Sequence, residues 1–121
     1  MDSRRLFALR GATRCTNDPN DIMQRTIAMY DELLARNKLS EDDLVSVIFS
    51  VTPDLDALNP AQALRQGGRA GTAALFVTQE AYFPGSLERV IRVLIHCYLE
   101  KDAKPVHSYL NGAEVLRPDR K

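Results

Sequence analysis

Two charged residues stand out because of their places in the sequence. Arg92 interrupts an apolar run between Ile91 and Val93, and a buried guanidinium without a partner is strongly unfavourable. It must therefore meet a carboxylate, a backbone acceptor or an anionic ligand. Glu80 is the natural partner within the chain. Two interpretations stay open: a structural Arg92–Glu80 ion pair, or an anion site in which the carboxylate also meets the polar or positive end of the ligand.

Arginine is the dominant cation along the chain, with 12 residues against 4 lysines. The guanidinium fork matches planar carboxylates and phosphates, although genomic base composition explains the bias equally well. Arg10, placed at the predicted end of the first strand, adds a second candidate cation. No nucleophile motif of the G-x-S-x-G type is present, and His96 and His107 are expected to be structural or solvent-exposed. These features favour anion binding over nucleophilic catalysis.

Composition limits the class of protein. The chain has 121 residues, which predicts a single domain over residues 1–121, and its formal net charge is +0. A neutral chain lacks the basic charge of a general nucleic-acid binder, and its apolar runs are too short to span a membrane. Cys15 and Cys97 have no metal-type spacing. With no export signal apparent, both are expected to be reduced thiols in a cytoplasmic protein.

Periodicity and capping residues predict the elements that position these side chains. Asp18-Pro19 begins a long helix that ends near Asn37, Ser40–Asp43 forms a short capped turn, and Pro60 begins a short helix. Strands are predicted over residues 5–9, 44–51, 73–77, 90–98 and 107–110. In the fourth strand the odd positions are apolar, whereas Arg92 lies on the even face.

The predicted fold is therefore α+β, a mixed five-stranded sheet with one long helix on one face. A single helix leaves the other face of the sheet uncovered. Because the strands are largely apolar, exposure of that face to water is unfavourable. We therefore expect the chain to form an oligomer.

Six short motifs, taken in order, resemble the AroH-class chorismate mutases, and the match covers nearly the whole chain. Each motif alone is weakly specific. Six motifs in this order and at these separations are highly specific. The motifs are Arg10-Gly11-Ala12-Thr13, Thr52-Pro53-Asp54-Leu55, Pro60-Ala61 with Arg65, Gln79-Glu80, Ile91-Arg92-Val93, and Tyr109-Leu110 followed by Leu116-Arg117-Pro118-Asp119.

The resemblance implies a homotrimer with a pseudo-α/β-barrel and active sites in clefts between subunits. It implies the conversion of chorismate to prephenate, in the branch of the shikimate pathway that leads to phenylalanine and tyrosine. This reaction is an intramolecular Claisen rearrangement, which needs no metal, no cofactor and no covalent intermediate. A protein assists such a step by holding the reactive conformer and by stabilising the charge that separates.

By position, the resemblance gives three residues catalytic roles. Arg92 donates to the ether oxygen as it becomes negative and to a carboxylate. Arg10, with Tyr109, clamps a carboxylate, and Glu80 accepts from the ring hydroxyl. The other matched substrate-binding positions are Arg65 and Arg117 near the cleft entrance, Ala61 from the adjacent subunit, Leu75 in the pocket wall, and Leu116.

Three matched positions depart from the family pattern, at Asn59, Gln62 and Val77. They replace a frequent aromatic, a lysine and a small polar residue respectively. Each loss is expected to weaken substrate binding by roughly 1 kcal/mol while leaving the chemistry intact.

Two other functions are compatible with the same arginines. A non-catalytic trimer that senses a small carboxylate is the first, and a pyruvate-eliminating lyase on a related dicarboxylate is the second. The charged tail, residues 117–121, is expected to become partly ordered over a bound ligand.

Overall fold

The structure, a computed structural model, describes residues 3–116. It contains five strands, two α-helices and two short 3₁₀ turns. In chain order these are β1 (Arg4–Arg14), α1 (Pro19–Arg36), a 3₁₀ turn (Glu41–Asp43), β2 (Leu44–Val51), α2 (Pro60–Gln66), β3 (Ala74–Gln79), β4 (Val90–Glu100), β5 (Ser108–Leu110) and a second 3₁₀ turn (Ala113–Leu116).

Helix α1 begins and ends where its capping residues predict. The Asp18 carboxylate accepts a hydrogen bond from the backbone N–H of Asp21 at 3.1 Å, and Pro19 occupies the first turn. The helix buries one side, including Ile22, Met29 and Leu33, because apolar residues recur at helical spacing. This side packs against the sheet and forms the main core.

The sheet is mixed, with strand order β3-β2-β4-β1-β5. The central strand β4 pairs antiparallel with β1 and β2, while β3 and β5 add in parallel at the two edges. The odd residues of β4 are buried beneath α1, and Arg92 lies on the opposite face. The α+β prediction is confirmed, and so is the alternation in the fourth strand.

Strand β1 is longer than predicted, since it continues through Arg10 and Gly11 to Arg14. The prediction that Arg10 ends the strand is wrong because Gly11 serves packing rather than a turn. A Cβ at Gly11 would lie 2.9 Å from Leu33 Cδ1 and 3.1 Å from the Ser108 carbonyl oxygen. The missing side chain therefore lets α1 and β5 approach the strand closely.

Strand β2 carries one irregularity near its start. Leu44 pairs with Cys97 of β4, whereas Ser46 pairs with His96, so Val45 is an extra residue in the ladder. This β-bulge sets the register of the rest of the strand. Ser50 consequently lies opposite Arg92.

The face that carries Arg92, here called the open face, is not covered by a helix in the part of the chain that the structure describes. Register places Leu6, Phe76 and Tyr98 on it, with exposed fractions of 48%, 63% and 43%. The second 3₁₀ turn packs against its end near Ala12 and Val90. No helix within residues 3–116 has the length and apolarity needed to cross a bilayer.

Candidate functional site

A charged pair occupies the open face of the sheet. Arg92 projects from β4, and Glu80 directly follows β3, where its backbone N–H donates to the Val51 carbonyl at 2.8 Å. Arg92 Nε donates to Glu80 Oε1 at 2.6 Å. The Arg92 side chain is 42% exposed and that of Glu80 is 19% exposed. The expected ion pair is therefore present, and the guanidinium still reaches solvent.

Only one edge of the guanidinium is used by this pair. Within residues 3–116, the two terminal nitrogens of Arg92 have no recorded hydrogen-bond partner. Four N–H groups therefore remain, arranged as a planar fork. Such a fork can donate to a carboxylate or to an oxygen that gains negative charge.

The pair lies beside a hollow of about 260 Å³ in the open face. The structure thus brings together three predicted site residues: Arg10 and Arg92 as cations, and Tyr109 as a half-buried hydroxyl donor. The full lining is Arg10, Gly11, Ile48, Ser50, Arg92, Val93, Leu94 and Tyr109. Two guanidinium groups on one wall favour an anionic ligand.

Local structure holds the walls of this hollow in place. The Arg10 backbone N–H donates to His107 Nδ1 at 3.0 Å, which ties β1 to the segment before β5. Tyr109 packs against Ala12 and Val90, together with Leu116. Neither histidine lines the hollow among the described residues. His96 instead pairs with the Ser46 hydroxyl at 2.9 Å.

Four predicted site residues lie on or next to α2, which contacts α1 and the edge strand β3. Ala61 is buried, whereas Asn59, Gln62 and Arg65 are exposed. They do not line the Arg92 hollow of their own chain. Their predicted substrate contacts therefore stay predictions that require a second subunit.

Leu75 and Val77 lie on the helix-covered face of β3, where they pack against the main core. They are consequently on the opposite face from Arg92, since Thr78 and Ser50 share its side. Their contact with substrate is not made within one chain and stays a prediction. Arg117 and the tail over residues 117–121 lie outside the described residues.

Sequence reasoning missed two roles. Asn59 caps α2, because its side-chain oxygen accepts from the backbone N–H groups of Ala61 at 2.8 Å and Gln62 at 3.3 Å. Ser50 lines the hollow and donates to Glu80 Oε1 at 3.2 Å. One signal for this role was available in the sequence. Ser50 is a polar residue in an apolar strand, and its alternation places it on the same face of that strand as Ser46.

Both cysteines are free and buried in the described structure. Loss of solvation raises the pKa of the Cys15 thiol to about 11, with the nearby Asp21 carboxylate adding to the rise. Burial likewise raises the pKa of the Cys97 thiol to about 11. Both thiols are thus protonated at neutral pH, which makes them poor nucleophiles.

Comparison with known proteins gives a consistent result. The family model described as chorismate mutase type I matches residues 6–120. Chorismate mutase AroH of Bacillus subtilis is 32% identical over 113 residues, covering 92% of this chain and 89% of the relative. Chorismate mutase AroH of Thermus thermophilus is 40% identical over 114 residues, covering 92% and 93%.

A solved structure is also similar to this fold. A chorismate mutase from Clostridium thermocellum superposes with a TM-score of 0.82 at 42% identity. The match covers 90% of this chain and 98% of that one. Both the fold and the sequence therefore agree with the motif-based resemblance.

Proposed function

This chain belongs to the type I chorismate mutase family and is an isomerase that converts chorismate to prephenate, and we propose that Arg92, Glu80 and Arg10 carry the reaction. The observation behind this proposal is the hollow in the open face. It brings the Arg10 and Arg92 guanidiniums together, and Arg92 is already held by the Glu80 carboxylate. The comparisons give no support to the non-catalytic sensor.

The chemistry suits a site built from charge rather than from a nucleophile. In the rearrangement the ether C–O bond breaks while a new C–C bond forms within the same molecule. No proton, electron or group passes to the protein. The protein therefore accelerates the step by holding the folded conformer and by stabilising developing charge, and one preorganised donor at such a position contributes about 3–4 kcal/mol.

We assign the donor role to Arg92. Its Nε is held by Glu80 at 2.6 Å, so the guanidinium plane is fixed before substrate arrives. The terminal nitrogens then donate to the ether oxygen, as it becomes negative, and to a substrate carboxylate. Because the donors need no reorganisation, they favour the charge-separated transition state over the ground state.

Arg10, Tyr109 and Glu80 complete the proposed arrangement. Arg10 and Tyr109 line the hollow on the β1 and β5 side of Arg92, where they clamp the second carboxylate. Glu80 accepts from the substrate hydroxyl through the carboxylate oxygen that has no recorded partner among residues 3–116. Its negative charge also lies near the ring as the ring becomes electron-poor.

We propose that the 121-residue chain is one domain that assembles as a homotrimer with a pseudo-α/β-barrel core. The two halves of the predicted site lie at opposite edges of the sheet: Arg10 and Tyr109 near β5, and α2 next to β3. Head-to-tail contact between unlike edges closes into a ring of three when each subunit is rotated by about 120° from the one before it. Such contact brings Ala61 and Arg65 of one subunit towards Arg92 of the next and covers Phe76.

The remaining predicted binding positions are assigned to the same proposed site. Asn59 and Gln62 are exposed at the start of α2, and Leu75, Val77, Leu116 and Arg117 complete the proposed binding set. Since Gln62 and Val77 replace side chains that would contact substrate, we expect affinity weaker by roughly 1 kcal/mol for each. We place the enzyme in the cytoplasm, where two free thiols stay reduced.

Two measurements test this proposal. Purified protein mixed with chorismate should deplete chorismate absorbance well above the spontaneous rate, with prephenate and no pyruvate as product. Saturable binding without depletion would instead indicate a sensor, and free pyruvate would indicate a lyase. Light scattering should give three times 13.6 kDa, about 41 kDa, whereas an active monomer would refute the shared site.

A further inference from the structure

Ser50 is the polar residue of the hollow to which neither the motifs nor the proposed mechanism gives a role. It lies on β2, between the strands that position Arg92 and Glu80. Its backbone pairs with Arg92 of β4 on one side and with Thr78 of β3 on the other. Glu80 is two residues beyond Thr78, so all three side chains share the open face.

The Ser50 hydroxyl acts on the carboxylate rather than on the guanidinium. Its Oγ donates to Glu80 Oε1 at 3.2 Å, and Arg92 Nε donates to the same oxygen at 2.6 Å. One carboxylate oxygen therefore accepts two hydrogen bonds. The other, Oε2, has no recorded partner within the described part of the chain.

We propose that Ser50 is a positioning residue for the mutase reaction: with Arg92 Nε it fixes Oε1 of Glu80 and so leaves Oε2 as the acceptor for the substrate hydroxyl. This inference rests on the proposed function. A glutamate side chain has several rotatable bonds and loses much freedom when it is held. With Arg92 alone as partner, the carboxylate turns about a single hydrogen bond, whereas a second donor from another strand fixes its rotation.

The same strand provides a matched control. Ser46 lies four residues earlier on the same face of β2, and its hydroxyl contacts His96 Nδ1 at 2.9 Å instead of a carboxylate. Replacing either serine by alanine removes one hydroxyl from a half-buried strand position. Only the change at Ser50 releases Glu80.

The experiment measures kcat, KM and the thermal midpoint for the parent protein, Ser50→Ala, Ser50→Thr and Ser46→Ala. We expect Ser50→Ala to lower kcat about tenfold, equivalent to about 1.4 kcal/mol, with KM within about twofold. Threonine keeps the donor and suits a strand, so Ser50→Thr should recover most of kcat. Ser46→Ala should match the parent in kcat. Ser50→Cys, a weaker donor of similar shape, replaces the alanine variant if that variant does not fold.

A double-mutant cycle tests whether Ser50 acts through Glu80. In a Glu80→Gln background, Ser50→Ala should change kcat by less than about twofold, because the carboxylate it positions is gone. A tenfold loss in that background overturns the inference, as does an equal loss for Ser46→Ala. An active parent with an equally active Ser50→Ala variant overturns the inference alone. An inactive parent overturns the proposed function and this inference together.

Discussion

Replacing Arg92 by lysine keeps the positive charge but removes the guanidinium geometry, so the variant measures what the geometry contributes. In the structure, Arg92 Nε donates to Glu80 Oε1 at 2.6 Å, and the two terminal nitrogens remain available to donate to a ligand. Lysine has one nitrogen, so it cannot bind Glu80 at that distance and also present a planar fork to the substrate. The Arg92→Lys variant therefore retains the charge and loses at least one transition-state donor.

The size of the effect follows from that lost donor. One preorganised donor to a developing oxyanion is worth about 3–4 kcal/mol, and each 1.4 kcal/mol corresponds to about a factor of ten in rate. We therefore expect kcat of Arg92→Lys to fall by about 10²–10³. The rise in KM should be smaller, since the ammonium still attracts a carboxylate.

The assay is initial-rate depletion of chorismate absorbance over a range of concentrations, with light scattering to check assembly. Arg69→Lys serves as the control, because Arg69 also donates to a carboxylate, Asp31, at 2.7 Å but does not line the Arg92 hollow. The control should keep kcat within about twofold. Turnover of Arg92→Lys close to that of the parent would refute the assigned role.

Three further predictions concern stability. Gly11→Ala should lower the free energy of unfolding by about 1–3 kcal/mol, because its Cβ would lie 2.9 Å from Leu33 Cδ1; Gly71→Ala, with open space around it, should have little effect in the same urea titration. The thiols of Cys15 and Cys97 have a pKa near 9 in the unfolded chain and near 11 in the folded protein. The unfolded state therefore loses its thiol protons first as the pH rises. The free energy of unfolding should be unchanged below pH 9 and about 1.4 kcal/mol lower per thiol at pH 10. A Cys15→Ala/Cys97→Ala variant with the same alkaline loss would contradict this account. Asn59→Ala should lower the free energy of unfolding by about 1 kcal/mol, because it removes the α2 cap. Asn59→Asp keeps a capping oxygen and should retain the parent thermal midpoint. An alanine variant as stable as the aspartate variant would contradict the capping role.

Local signals in the sequence are sufficient to predict much of the fold. The caps of α1 depend on residues within one helical turn, so Asp18 and Asn37 mark its ends directly. The alternation in β4 likewise depends on neighbours in the chain, and it correctly places Arg92 on the open face. Charge complementarity was then sufficient to predict its pairing with Glu80.

Features that depend on tertiary contacts were harder to predict. Gly11 is a turn signal by residue type, but its role is to admit α1 and β5 against the strand, which only packing reveals. Ser50 acquires its partner from the lateral order of three strands. The placement of Arg65 near the β3 edge, away from Arg92 on the central strand, depends on strand order as well.

The extra residue at Val45 has a consequence far from its own position. Before Val45, Leu44 of β2 pairs with Cys97 of β4. After Val45, Ser46 pairs with His96, and the rest of the strand keeps that alignment. If the first alignment continued without interruption, Ser50 would face Ile91, and Phe49 would take its place opposite Arg92. Turnover therefore depends on this solvent-facing bulge, because a regular ladder with the same residues would turn the wrong side of the strand towards the reaction centre.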